Sequence, residues 1–222
     1  MRQLIFNRRA QVATLKKRNL ITFSNPDSII SDQFRTIRTN IQFLTEGMKN
    51  RKFLITSTGK GEGKSTISAN LAVSMAQQQK KILLIDANLR DAIIHSIFKL
   101  PNDIGLTNVL TKQVSPVDAV KQTEFGNLDI LTSGTTSFNP LELLSNEIVK
   151  EMLDTLVKSY DIILIDSSSV LDFTESRVLA NQCDGVVFVV NRGKTEIEKI
   201  NEAKRVLELA HGKLVGVIMN EK

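Results

Sequence analysis

The run Thr56-Ser57-Thr58-Gly59-Lys60-Gly61-Glu62-Gly63-Lys64-Ser65-Thr66 carries the clearest chemistry in the chain. Glycines at this spacing let backbone N–H groups converge on phosphate oxygens. Lys64 can neutralise charge on the terminal phosphates, and Ser65 can ligate Mg2+. The run follows the apolar stretch Phe53-Leu54-Ile55 and opens a helical pattern, so a helix N-terminus would add positive potential at the same place. Gly59, Lys60, Gly61, Glu62, Gly63, Lys64, Ser65 and Thr66 are therefore the candidate nucleotide-binding residues. Residue 58 is Thr where the pattern G-x-x-x-x-G-K-[ST] has its first glycine, so the loop entry differs from the commonest form. The plain alternative, a glycine-rich turn with no ligand, does not account for the strand, the GKST run and the helix occurring together.

Two carboxylates fall at the ends of apolar runs: Asp86 closes Ile82-Leu83-Leu84-Ile85, and Asp166 closes Ile162-Ile163-Leu164-Ile165. In a parallel sheet both would sit at the carboxyl edge, where open α/β sheets bind their ligands. Asp166 would then hold Mg2+ or its water, and Asp86 would assist Mg2+ or orient a hydroxyl nucleophile. Ser65, Asp86 and Asp166 are thus the candidate metal residues. Taken singly, either Asp also fits a cap on the next turn.

Elements that could position these groups are legible in the pattern. Besides the three runs above, Leu128-Asp129-Ile130-Leu131, Val186 to Val190 and Leu214 to Met219 are short and apolar, and most do not alternate. Strands of that kind are covered on both faces, as in parallel sheets. Helical spacing links Ile67, Leu71 and Met75, then Ile148, Met152, Leu153 and Leu156, then Ile197, Ile200, Ala203 and Leu207. Ahead of them Asn25-Pro26-Asp27 signals a helix start, and Ile30, Phe34, Ile37, Ile41 and Leu44 predict an amphipathic helix over 27–46. The fold class is α/β, a P-loop nucleotide-binding fold with a mostly parallel sheet flanked by helices on both faces.

The 222 residues, 41% hydrophobic and 24% charged, suit one globular domain over 27–222 preceded by a basic segment over 1–26. That segment holds Arg2, Arg8, Arg9, Lys16, Lys17 and Arg18 and no acid, which turns a net charge of +5 into about −1 for the rest. No nucleic-acid partner is expected, because the body lacks a general basic surface. The basic segment itself suits an anionic lipid surface or the tail of a membrane partner, or plain solvated disorder. Cys183 is alone, which suits a reducing cytoplasm. No apolar stretch approaches the roughly 18 residues of a membrane span. His95 and His211 have no ligand-spaced neighbours, so no zinc site is expected.

Taken together, these motifs resemble the bacterial tyrosine kinases of capsule and exopolysaccharide synthesis, which use a MinD/ParA type of nucleotide-binding fold. Thr56 to Thr66 is similar to the family's Walker A element, Ile82 to Arg90 to its Walker A′ and Ile162 to Asp166 to its Walker B. Asp32-Gln33-Phe34-Arg35-Thr36-Ile37-Arg38 resembles its acid-x-x-Arg-x-x-Arg assembly helix, with Asp where Glu is usual. Asn139 to Leu144 resembles its Asn-Pro-x-Glu-Leu-Leu segment, and Gly216 to Asn220 its last strand, whose Asn approaches the base.

The resemblance implies ATP and Mg2+ as cofactors and phosphoryl transfer to protein tyrosine. Lys64, Asp86, Asp166 and Arg90 would be the catalytic set, with Arg90 steadying the acids. It also implies a membrane-spanning activator on a separate chain, which would recruit this cytoplasmic chain to the inner face of the membrane, and a homo-oligomer assembled through Asp32, Arg35 and Arg38.

Several positions depart from the family. The Walker A′ motif usually carries a second acid, and here that residue is Asn88, which has no charge for Mg2+ or a proton. Ser167-Ser168-Ser169 replaces a stiff Thr-Pro-Pro turn. The lysine that marks MinD-type loops would stand at Gly59, one place from Lys60, which favours the kinase branch. A tyrosine-rich tail is not found, and Tyr160 is the one Tyr, expected in the core or at a strand edge. A non-kinase ATPase switch and a nucleotide-binding pseudokinase stay open as alternatives.

Overall fold

Strands apolar on both sides need helices over both faces, and the computed structural model has that arrangement. It describes residues 20–44, 46–47, 51–135, 139–145 and 147–221. The other residues, including most of the basic segment, lie outside the described ones. Seven strands form one sheet: β1 (Arg51–Ser57), β2 (Ile82–Asp86), β3 (Lys121–Gln122), β4 (Leu128–Leu131), β5 (Ile162–Asp166), β6 (Gly185–Asn191) and β7 (Leu214–Asn220). Their order is β3-β4-β2-β5-β1-β6-β7. All neighbours run parallel except β3, which lies antiparallel on β4 at the edge.

The pleat sends successive side chains to opposite faces. Leu54 of β1 accordingly joins the core beneath α8 (Glu147–Leu156) and α10 (Ile197–Leu209), while Phe53 and Ile55 join the other core. That second core is covered by α1 (Ile21–Ser24), α2 (Ile29–Leu44), α3 (Lys64–Ala76) and α4 (Ile94–Phe98). The short helices α5 (Leu106–Leu110), α6 (Pro116–Ala119), α7 (Pro140–Leu144) and α9 (Glu175–Ala180) complete the first layer. In the segment Asn139 to Leu144, Pro140 opens α7 and the Asn139 side chain donates to Glu142 Oε2 at 2.6 Å.

α2 spans 29–44, close to the expected 27–46, and Ser28 rather than Asn25 or Asp27 caps it: its hydroxyl accepts from the Ser31 N–H at 3.2 Å. Residues 20–24 belong to the packed body although the sequence places them in the basic segment. Thr22 is buried, and its N–H and hydroxyl both reach the Asn70 carboxamide at 3.1 Å.

Arg38 was expected to be available to a neighbouring subunit. Instead it reaches back to the Ser74 carbonyl and hydroxyl on α3, and burial lowers its pKa. Asp32 and Arg35 form a local pair on the exposed side of α2.

Candidate active site

The phosphate loop occupies the turn between β1 and α3, at the carboxyl edge of the central strand. Gly63 caps α3 at φ 93°, a left-handed conformation, and a Cβ there would stand 2.4 Å from Asn220 Nδ2. Glycine is needed on both counts. The Asn220 amide donates to the Glu62 carbonyl at 2.9 Å, so the last strand braces the loop from behind. Asn220, implied by the resemblance to approach the base, is thus also a loop support.

The candidate loop residues divide by what their side chains do. Lys64 is buried, with Nζ 2.9 Å from Ser57 Oγ and 3.4 Å from the Gly59 carbonyl. Burial lowers its pKa, and Asp166 and Glu62 oppose that shift. Its ammonium is therefore folded over the loop that would receive phosphate. The Glu62 carboxylate points away, accepting from the Thr58 N–H at 3.1 Å, from the Thr58 hydroxyl and from Thr195 Oγ1 at 2.7 Å. Thr58, at the missing glycine position, is the residue that meets it. Lys60 lies exposed with Nζ 2.9 Å from Asp91 Oδ2, and so spans the mouth of the site rather than entering it.

Asp86 and Asp166 are register neighbours on the adjacent strands β2 and β5, and both are fully buried. Asp166 Oδ1 accepts from Ser68 Oγ at 2.8 Å, and the Ser65 hydroxyl also bonds this carboxylate. Asp166 Oδ2 is buried without a hydrogen-bond partner. Asp86 accepts from the Ile94 N–H at 3.1 Å and the Asn88 N–H at 3.3 Å. Burial pushes the Asp166 pKa up to about 6. Burial first, and then the neighbouring Asp166, raise Asp86 well above the usual carboxylate range. Two buried acids side by side, one with an unbonded oxygen next to Ser65, fit a divalent cation. The Mg2+ donor set expected from sequence is thereby brought together by the fold.

Arg90 sits elsewhere in the site. Its Nε and Nη2 donate to Glu175 Oε1 at 2.8 and 2.7 Å, and its guanidinium lies 4.7 Å from the centre of the Phe173 ring. Its bonds therefore run to Glu175 on α9, whereas the sequence expectation had it steadying the acids. Asn88 is turned outward, its amide donating to the Asp91 carbonyl at 3.1 Å. The turn after Asp166 is tied to β1: Ser167 Oγ donates to the Ile55 carbonyl, Thr56 Oγ1 to the Ser168 carbonyl, and Val170 N–H to the Ser57 carbonyl. Hydrogen bonds thus hold a turn for which the resemblance implied a proline-stiffened form. Tyr160 stands at the other end of β5, half-buried. Its hydroxyl donates to Asp129 Oδ2 at 2.8 Å, and burial and that partner raise its pKa.

Ser57, Ser68, Thr195 and Glu175 are site residues that sequence reasoning missed. Ser57 and Ser68 lie within or just beyond the loop-helix motif, where their spacing to Lys64 offered a signal. Thr195 and Glu175 meet the site only through the fold.

A phosphate loop at the head of a buried helix, with paired strand-end acids beside it, defines a P-loop nucleotide-binding α/β protein. A family model described as an AAA domain matches residues 50–213. The tyrosine-protein kinase YwqD of Bacillus subtilis is 45% identical over 206 residues, covering 93% of this chain and 87% of its own. The solved chimerical protein CapA2B2 is 36% identical with a TM-score of 0.87, covering 92% of this chain and 90% of that one. The septum site-determining protein MinD complexed with Mg-ADP from Pyrococcus horikoshii is 27% identical at a TM-score of 0.66, over 77% of this chain and 70% of its own. The chain belongs to the bacterial tyrosine kinase family, on the MinD-like branch of P-loop folds.

Proposed function

We propose that the chain binds Mg·ATP and transfers the γ-phosphoryl group to tyrosine hydroxyls of other proteins in capsule or exopolysaccharide synthesis. The observation that carries this reading is the register pairing of Asp86 with Asp166 beside the Lys64 and Ser65 end of the loop. Loop N–H groups and Lys64 would hold the phosphates, and Ser65 with Asp166 would hold Mg2+, which supplies charge neutralisation at the transferring phosphoryl group. Asp86 then faces the incoming hydroxyl. That position suits it to accept the phenol proton.

One solved structure of similar fold is the chimerical protein CapA2B2. This supports an activator that spans the membrane on a separate chain and recruits the kinase to the inner face. Among the described residues no helix is long and apolar enough to cross a membrane. Assembly through α2 would use Asp32 and Arg35, which are exposed; Arg38 belongs to the α2–α3 seam. Arg35→Ala is therefore the clean test, and a lower molar mass by light scattering with an unchanged melting temperature is expected.

Asn88 favours a second reading, an ATPase switch, because the family's second acid is an amide bonded to the Asp91 carbonyl. Incubation with labelled Mg·ATP, a tyrosine substrate and an activator tail separates the two. ADP together with phosphotyrosine supports transfer, and ADP alone supports the switch.

A further inference from the structure

We propose that Glu175 is a positioning residue that acts through Arg90 to hold the loop orienting Asp86. The proposal rests on the phosphoryl-transfer reading above. Glu175 lies in the first turn of α9 with its side chain 4% exposed, a position where an unpaired carboxylate would be costly. It is satisfied by Arg90, whose Nε and Nη2 share one oxygen while the guanidinium stacks on Phe173.

Arg90 lies in the loop 87–93 between two residues whose N–H groups define the Asp86 carboxylate, Asn88 on Oδ1 and Ile94 on Oδ2. The same loop begins at Ala87, whose N–H donates to the Asp166 carbonyl at 2.8 Å. Fixing Arg90 therefore fixes where both Asp86 donors point, and it ties the segment after one acid to the segment after the other. The loop's second tie, Lys60 to Asp91, is 77% and 62% exposed, and solvent screens it. The clamp at Glu175, whose carboxylate is buried while Arg90 is 43% exposed, is the one that sets the geometry.

The test is a double-mutant cycle read in transfer rate, in KM for ATP and in nucleotide affinity with and without Mg2+. Glu175→Gln removes the charge and keeps the shape. It should lower kcat about tenfold, the scale of one charge-assisted bond, while magnesium-free nucleotide affinity changes less than about twofold. Glu175→Gln combined with Arg90→Ala should cost no more than Arg90→Ala alone, because one acts through the other. Multiplying losses, or a fall in melting temperature with kcat unchanged, would overturn the proposal.

If Glu175→Gln does not fold, Arg90→Lys keeps the charge and loses the fork. It should lower kcat at unchanged magnesium-free affinity, and an unchanged kcat would overturn the clamp. If the parent protein makes no phosphotyrosine, the kinase reading fails by itself, and the clamp is then judged by the gain in nucleotide affinity on adding Mg2+. That gain should shrink severalfold in Glu175→Gln, and an equal gain would overturn it.

Discussion

The two flanks of the phosphate loop are built on opposite principles. Toward β7, Glu62, Thr195, Thr58 and Asn220 satisfy one another: a single carboxylate collects three donors, and the last strand donates to the loop backbone. Toward β2 and β5, two buried carboxylates face each other, and Asp166 Oδ2 has no partner. Polar groups that are fully paired act as scaffold, whereas groups left short of partners hold free energy that a ligand can release. The first flank fixes the loop, and the second waits for charge.

This contrast can be broken, most strongly at its centre. Lys64→Met removes the cation common to both flanks. Calorimetry should show nucleotide affinity falling tenfold or more, about 1.5–3 kcal/mol for a charge-assisted contact. Asp166→Asn acts on the acidic flank alone. It should abolish most of the Mg2+-dependent gain in affinity, leave magnesium-free binding nearly unchanged, and raise the melting temperature of the ligand-free protein by removing a buried charge.

A pH titration sharpens the same flank without mutation. Asp86 and Asp166 have folded pKa values above the unfolded ones, so the folded protein binds protons more tightly. For Asp166 that contribution is complete below about pH 4, where the unfolded chain is protonated as well, and is lost as pH rises through about 6. Ligand-free melting temperature should therefore decline across this window, and binding of Mg·nucleotide near pH 6 should release protons, visible as buffer-dependent heats. The smallest effect belongs to the paired flank: Thr195→Val should cost about 1 kcal/mol of stability by denaturant titration and well under tenfold in affinity.

Much of the acidic flank was legible in the sequence, because its parts are contiguous. Asp86 and Asp166 each end an apolar run, and Lys64 and Ser65 lie inside a motif whose spacing is set by phosphate geometry. On the paired flank Thr58, Glu62 and Asn220 were picked out but Thr195 was not, since Glu62 and Thr195 stand 133 positions apart. Arg90 was picked out, but its partner Glu175 is 85 positions on and nothing local marks it. The six apolar strands appeared as runs. Lys121–Gln122 did not, because a two-residue polar edge strand is made by pairing rather than by its own composition. The helices of four to six residues escaped for a related reason, as too few turns exist to display a period.

The sheet order also bears on how the chain acquires its shape. β1, which delivers the phosphate loop, is flanked by β5 and β6 rather than by β2, so Arg51 finds its neighbour Ile162 only after more than a hundred intervening residues. Sheet closure at the centre demands contacts of high sequence separation, which slows the search. On the ribosome, β1, α3 and β2 emerge well before the strand that sits between β1 and β2. A nascent chain halted before Asp166 would carry the complete loop motif and still lack the surface on which that loop is supported.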